Sequence, residues 1–218
     1  MNIYRTDKTT RLCGLYAITD PKLTPPENLL VKAEAALQGG AKILQYRDKS
    51  DDKPLRSQQA AALLALCQRY NATLIINDDV ELTAAVNAHG VHLGLTDTAI
   101  TEARHRLGSA AIIGATCHAS ISNAKQAIEA GADYVAFGRF FPSSTKPDAP
   151  PADLSDISAH LGKLEVPAVA IGGITLANAP KLTAAGFTMV AVVADIFSQT
   201  DIIGHCKKYA ELFDQEGL

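Results

Sequence analysis

Two aspartates in this sequence have the residue type and the setting that a hard cation needs. Asp78 follows an apolar run at residues 73–77, and Asp97 follows a second run at 90–94. Mg²⁺ prefers oxygen ligands, usually takes one or two carboxylates, and completes its shell with water and phosphate oxygens. We therefore predict that Asp78 and Asp97 hold one Mg²⁺. Asp79 is instead predicted to cap the helix that starts near Val80.

A second segment carries the positive charge that would accompany such a cation. An apolar run lies at 43–47, and its end overlaps the polar segment Gln45-Tyr46-Arg47-Asp48-Lys49. Alternate side chains of an extended chain share one side, so Gln45, Arg47 and Lys49 are expected to face the same way and Tyr46 the other. Arginine and lysine in that arrangement suit a diphosphate. The alternative is a strand end that turns into a solvated loop.

Hydroxyl groups follow two further apolar runs. Thr116 ends the run at 112–116 and could offer its hydroxyl to a ligand, whereas Cys117 is interpreted as structural and His118 as a hydrogen-bonded support rather than an acid or base. A proline-bounded loop after residue 138 contains Ser143, Ser144, Thr145 and Lys146. Such a loop can wrap an anion and exclude water; the alternative is a plain surface loop.

The last two apolar runs end in small residues. Gly172 and Gly173 follow the run at 168–172, and Val193 and Ala194 follow the run at 189–193. Glycine lets the backbone approach a phosphate closely, and backbone N–H groups can then hold the anion. No oriented pair of nucleophile and base is evident in the sequence. We therefore expect chemistry that depends on stabilising a leaving group rather than on covalent catalysis.

The elements that must position these residues alternate regularly. Short apolar runs, typical of buried parallel strands, lie at 14–20, 43–47, 73–77, 90–94, 112–116, 134–138, 168–172 and 189–193. Helical periodicity between them is clearest at 28–38, 57–70, 123–130 and 178–185. Eight such units predict a single-domain (β/α)₈ TIM barrel over residues 1–218, with residues 1–12 as a polar N-terminal extension. The alternative is an open doubly wound sheet.

Composition narrows the possible partners. The net charge of -3 provides no general attraction for nucleic acid or anionic lipid, so we expect neither as a partner. The four cysteines are scattered without zinc-ligand spacing, which indicates reduced thiols. No run approaches the ~20 apolar residues of a membrane span, and the polar start lacks the features of a signal peptide, so a cytoplasmic location is expected. A homo-oligomer stays open.

The ordered motifs resemble thiamine phosphate synthase along nearly the whole chain. They are YAITD (16–20), QYRDK (45–49), INDDVELTAAVNAHGVHLG (76–94), IIGATCH (112–118), GADYVAFGRFFPSSTKP (131–147), AIGGI (170–174) and VAVVADIF (190–197). The resemblance implies that 4-amino-2-methyl-5-hydroxymethylpyrimidine diphosphate is joined to a thiazole phosphate with Mg²⁺. Thiamine phosphate and pyrophosphate would be the products. It further implies a dissociative reaction, in which pyrophosphate leaves before the thiazole nitrogen attacks.

The resemblance also assigns residues to the two substrates. The pyrimidine diphosphate would be held by Gln45, Tyr46, Arg47, Asp48, Lys49, Asn77, Thr116 and Lys146, of which Arg47, Lys49 and Lys146 are expected to be catalytic. The thiazole phosphate would be held by Ser143, Ser144, Thr145, Gly173, Val193 and Ala194. Tyr46, Leu95 and Ala194 depart from the commonest family pattern, where leucine, glutamine and serine are frequent.

Two alternatives are compatible with the same fold. The first is an isomerase related to thiazole tautomerase, which has no use for a site for diphosphate and metal; His118 keeps this alternative open. The second is a non-catalytic barrel that binds a phosphorylated ligand, because fold alone does not determine function.

Overall fold

The chain folds into a closed barrel of parallel strands, as the sequence predicts. The computed structural model describes residues 11–95, 97–142 and 151–214. Within these ranges each strand pairs with the next, and the last pairs with the first. The strands are β1 (Gly14–Ile18), β2 (Ile43–Tyr46), β3 (Thr73–Asn77), β4 (Gly90–Leu93), β5 (Ile112–His118), β6 (Tyr134–Phe137), β7 (Ala168–Ile171) and β8 (Met189–Val192). The open-sheet alternative is therefore wrong.

Helices surround the barrel and connect successive strands. In the described ranges they are α1 (Leu29–Gln38), α2 (Lys53–Arg69), α3 (Val80–Val86), α4 (Ile100–Leu107), α5 (Ile121–Glu129), α6 (Leu154–Leu161), α7 (Ala179–Thr183), α8 (Ala194–Phe197) and α9 (Ile202–Asp214). None of these helices has the length and apolar character needed to cross a membrane. The helix predicted at 57–70 begins earlier, at Lys53, because the Asp52 side chain accepts a hydrogen bond from the Leu55 N–H and caps it.

Side chains alternate between two layers of core. Inward-facing residues such as Tyr16, Ile43 and Tyr134 fill the barrel, while outward-facing residues such as Leu15 and Leu44 pack against the helices. This arrangement explains the continuous apolar runs of the sequence, because both faces of each strand are buried. The strands end on their carboxyl side at one rim, and the polar residues singled out above follow these ends.

The polar N-terminal extension is shorter than the sequence suggests. Leu12, which lies inside the proposed extension of residues 1–12, is 1% exposed and packs with the residues that fill the barrel. The barrel core therefore begins before β1. Residues 1–10 lie outside the described part of the chain.

Candidate active site

A cavity of about 660 Å³ opens at the carboxyl ends of the strands. This volume is typical of a pocket for small molecules. Residues predicted for both substrates and for the metal share its wall. Those in the described part of the chain are Gln45, Arg47, Lys49, Asn77, Asp78, Asp97, Thr116, Gly173, Val193 and Ala194. The structure therefore brings together residues that lie far apart in the sequence, at the rim where active sites of such barrels are found.

The two aspartates predicted to hold a metal meet at this cavity. Asp78 directly follows β3 and has a positive φ of 63°, which is uncommon for a residue with a side chain. Its Oδ2 accepts a hydrogen bond from Asn77 Nδ2 at 2.6 Å and lies 3.5 Å from Lys49 Nζ. Asp97 Oδ2 accepts a bond from the Gly94 N–H at 2.6 Å. The sharp turn after β3 thus aims one carboxylate towards the other.

The proximity of the two carboxylates affects the pKa of Asp78. Burial raises the pKa of Asp78 above its usual value, and hydrogen bonding and charge repulsion from Asp97 raise it further. Lys49 and Asn77 act in the opposite direction. Two carboxylates that repel one another are stabilised when a divalent cation lies between them. The donor set therefore fits Mg²⁺, which commonly takes two carboxylates and leaves its other positions to water and phosphate.

Asp79 has the structural role that the sequence predicts for it. It is the N-cap of α3, and its Oδ1 accepts a hydrogen bond from the Leu82 N–H at 2.8 Å. Its Oδ2 lies 2.8 Å from Arg56 Nη2. Both carboxylate oxygens of Asp79 are therefore engaged, one in the helix cap and the other in the ion pair with Arg56. Its neighbour Asp78 faces the cavity.

The cationic segment divides between two faces, as alternation predicts. Gln45, Arg47 and Lys49 line the cavity. Tyr46 lies on the other side, where its hydroxyl donates to Gln59 Oε1 at 2.7 Å, and Asp48 accepts from the Ser50 N–H at 2.7 Å. The side chains of Tyr46 and Asp48 line a separate depression of about 320 Å³ beside α2. The structure therefore does not bring these two side chains to the cavity that contains Asp78.

Arg47 is held at the rim by two contacts with the loop after β1. Its N–H donates to Thr19 Oγ1 at 2.9 Å, and its Nη1 lies 3.7 Å from Asp20 Oδ2. The Arg47 side chain is 19% exposed, whereas that of Lys49 is 61% exposed. One cation is thus held within the wall, and the other lies at the opening beside Asp78.

Glycines shape the opposite side of the cavity. Gly172 and Gly173 both have positive φ, of 99° and 64°. A Cβ atom at Gly173 would lie 2.2 Å from the carbonyl oxygen of Pro142. Only glycine allows this approach, so the backbone after β7 is held against the start of the loop after β6. Val193 and Ala194 lie beside it at the start of α8.

The end of β5 contributes a hydroxyl and an imidazole to the cavity. Thr116 and His118 both line it, and the pairing of β5 with β6 shifts register between them. Cys117 points the other way and is fully buried, and burial raises the pKa of its thiol to about 12. Cys117 therefore stays protonated, which agrees with a structural role.

Four predicted site residues, Ser143, Ser144, Thr145 and Lys146, lie outside the described residues. Conversely, the cavity wall includes Tyr16, His92 and Arg139, which the sequence interpretation did not assign to the site. His92 and Tyr16 could have been found from alternation, because each is a polar side chain at an inward position of an apolar run. Arg139 follows β6 directly, at the rim where a functional residue is expected.

The closed barrel and the polar cavity at its carboxyl rim define a (β/α)₈-barrel enzyme. Residues 15–196 match the family described as thiamine monophosphate synthase. The chain belongs to this family.

Individual relatives are similar over most of their length. The chain is 55% identical to the thiamine-phosphate synthase of Alcanivorax borkumensis, covering 88% of each sequence. It is 50% identical to that of Thioalkalivibrio sulfidiphilus, covering 96% of this chain and 99% of the relative. Among solved structures, a thiamine phosphate pyrophosphorylase from Pyrococcus furiosus superimposes with a TM-score of 0.85 at 29% identity, covering 98% of both chains.

Proposed function

We propose that this protein is a thiamine-phosphate synthase, a transferase that joins a pyrimidine carrying a diphosphate to a thiazole phosphate. The observation that carries the proposal is the shared cavity. Arg47 and Lys49 supply positive charge beside the carboxylates of Asp78 and Asp97, and Gly173 brings open backbone to the facing wall. One side suits a diphosphate and the other a phosphate.

The residues of this chain support a reaction in which the leaving group departs first. The carbon–oxygen bond to the diphosphate breaks, and the bonding electrons leave with pyrophosphate. Arg47 and Lys49 hold the departing anion and stabilise the negative charge that develops on it. The thiazole nitrogen then donates its lone pair to the methylene carbon and forms the new bond. This order of steps requires no covalent nucleophile among the described residues.

Asp78 and Asp97 would hold Mg²⁺ at the diphosphate side. When bound, the metal supplies a Lewis acid for phosphate oxygens. Asn77 donates to Asp78 and thereby fixes the orientation of that carboxylate. The protein would thus contribute two hydrogen-bonded carboxylates beside an exposed lysine.

Turnover by the purified protein tests this proposal directly. With both phosphorylated substrates and Mg²⁺, we expect thiamine phosphate and pyrophosphate to form in equal amounts. Excess EDTA should lower the rate at least about hundredfold, because metal stabilisation of the negative charge on the departing pyrophosphate is worth several kcal/mol. Chromatography of thiamine phosphate provides the measurement, and added Mg²⁺ should restore the rate. Product formation that is insensitive to EDTA would contradict the metal assignment.

His118 distinguishes the synthase from the isomerase alternative. His118 lines the cavity, but a leaving-group reaction needs no acid or base at this position. We expect His118→Ala to retain at least about a tenth of the unmodified rate, since loss of a supporting hydrogen bond costs about 1 kcal/mol. Steady-state rates of thiamine phosphate formation measure this. Complete loss of activity in a folded variant would contradict the supporting role and reopen the assignment of His118 as an acid or base.

A further inference from the structure

A continuous line of hydrogen bonds crosses the interior of the barrel beneath the cavity. Gln45 Nε2 donates to the Tyr16 hydroxyl at 2.7 Å, and the hydroxyls of Tyr16 and Tyr134 are 2.8 Å apart. The Tyr134 hydroxyl lies 2.9 Å from His92 Nδ1, and His92 Nε2 lies 2.9 Å from Thr116 Oγ1. We call these five residues the buried relay. Its two ends, Gln45 and Thr116, both line the cavity.

The relay is built into the fold. Gly114 makes room for it, because a Cβ atom there would lie 2.0 Å from Cζ of Tyr134. The Tyr134 ring occupies that space, stacks on His92 at 5.6 Å and meets the Tyr16 ring edge-on at 6.1 Å. Both tyrosines are almost completely buried, at 1% for Tyr16 and 0% for Tyr134. Their hydroxyls must therefore find partners within the protein.

Burial also determines how many protons the relay contains. It raises the pKa of both tyrosines far above the usual value, so each phenol keeps its proton. The Gln45 amide nitrogen can only donate, so Tyr16 must accept at that contact. The Tyr16 hydroxyl must then donate its own proton, and within the relay the acceptor that remains for it is the Tyr134 oxygen.

The same reasoning continues to the other end. Once Tyr16 donates to Tyr134, the Tyr134 proton goes to His92 Nδ1, which must be unprotonated. The His92 proton is then on Nε2, which donates to Thr116 Oγ1. The Thr116 hydroxyl therefore donates its own proton to a group outside the relay. Any other arrangement, including a doubly protonated His92, leaves a buried hydroxyl proton of the relay without an acceptor.

The relay therefore has a direction, and its ends differ in character. At one end, Nε2 of Gln45 is committed to Tyr16, so the carbonyl oxygen is the group that Gln45 offers to a ligand. At the other end, Thr116 accepts from His92 and offers its hydroxyl proton. The cavity thus presents an acceptor at Gln45 and a donor at Thr116.

We propose that Tyr16, Tyr134 and His92 are positioning residues that select a pyrimidine with an exocyclic amine over its oxo counterpart. This inference rests on the proposed function. The exocyclic amine donates a hydrogen bond to the Gln45 oxygen. A ring nitrogen or a phosphate oxygen of the same substrate accepts one from the Thr116 hydroxyl. An oxo group at the same position would face the Gln45 oxygen, and two acceptors repel one another.

The relay makes this selection stronger than one amide could. Turning the Gln45 amide to suit an oxo group brings its oxygen to Tyr16, so Tyr16 must donate there. Every later bond must then reverse, and Thr116 must donate to His92. The site would then offer a ligand a new hydrogen-bond donor at Gln45, but it would lose the hydrogen-bond donor at Thr116. The two ends are therefore coupled through the barrel.

Removing the central hydroxyl tests the coupling. Tyr134→Phe keeps the ring that fills the space over Gly114 but separates the Gln45 half of the relay from the Thr116 half. The probes are the 4-amino and 4-oxo forms of 2-methyl-5-hydroxymethylpyrimidine monophosphate, which lack the diphosphate leaving group. Calorimetry in the presence of Mg²⁺ gives a dissociation constant for each. We expect the ratio of the two constants to fall about tenfold in the variant, the effect of one hydrogen bond.

Tyr70→Phe provides the matched control, because it removes a hydroxyl that bonds to Glu34 outside the cavity. Its ratio should equal that of the unmodified protein. A Tyr134→Phe variant that folds and keeps the unmodified ratio would overturn the inference.

The tautomer of His92 provides a second test, which needs no substrate. Nitrogen NMR of the histidine-labelled unmodified protein, with the His92 signals assigned from His92→Gln, should show a protonated Nε2 and an unprotonated Nδ1. The opposite tautomer, or an imidazolium, would overturn the relay direction. Absence of thiamine phosphate in the turnover assay would instead contradict the proposed function, so the two failures are distinguishable.

Discussion

Replacing Asp97 by alanine should reduce turnover at least about a thousandfold while leaving the fold intact. Asp97 faces the cavity, and burial and the Asp97 charge both raise the pKa of Asp78, which places the two carboxylates in one electrostatic site. Without Asp97 the remaining carboxylate holds a divalent cation poorly, and several kcal/mol of transition-state stabilisation are lost. Because the residue is exposed, its removal should change thermal stability little. Rates measured against Mg²⁺ concentration, together with the melting temperature, check both expectations.

Asp79→Asn is the matched control for this experiment. Asp79 is next to Asp78 but caps α3 and pairs with Arg56. Asparagine still caps a helix, so the expected loss is about 1 kcal/mol of stability with turnover unchanged. The metal assignment would be wrong if Asp97→Ala retained Mg²⁺-dependent turnover, or if the two variants lost activity equally.

Replacing Gly173 by alanine should impair the thiazole phosphate side of the site. Alanine at a φ of 64° is strained, and its Cβ would lie 2.2 Å from the Pro142 oxygen and 2.7 Å from the Phe141 oxygen. Backbone atoms must move apart to admit it, which displaces the wall that is proposed to bind phosphate. We expect KM for the thiazole phosphate to rise at least about tenfold and kcat/KM to fall about a hundredfold, with strain costing about 1–3 kcal/mol of stability.

Gly162→Ala separates this effect from a general response to alanine. Gly162 ends α6 with helical φ, and a Cβ there meets nothing within 4 Å. Its kinetics should match those of the unmodified protein, and its stability should stay equal or rise by about 0.5 kcal/mol. Steady-state kinetics with each substrate varied in turn provide the comparison. An unchanged KM for the thiazole phosphate in Gly173→Ala would remove this backbone from the phosphate site.

Much of the architecture could be predicted because strands buried on both faces leave a clear pattern. The run at 73–77 coincides with β3, and Asp79 caps α3 as expected. Alternation also placed Gln45 and Arg47 on one side and Tyr46 on the other. The positions of Asp78 and Asp97 at one rim follow from the fold, since parallel strands of a barrel end together.

The buried relay could not be predicted in the same way. Tyr16, His92 and Tyr134 lie on β1, β4 and β6, and their contacts depend on the size and tilt of the closed barrel. The space for Tyr134 exists only because Gly114 on the neighbouring strand has no side chain. Sequence spacing carries no information on such contacts across the interior, whereas it does carry the alternation along each strand.

The paired tyrosines also give the pocket a floor. Tyr16 and Tyr134 touch at the centre of the barrel, and apolar side chains such as Leu12 and Met189 fill the space with them. Among the residues that the structure describes, these side chains close the cavity from below, and it opens at the rim, where Lys49 is 61% exposed. A ring that contacts Gln45, which is 3% exposed, would therefore lie at the closed end of the cavity, away from the rim.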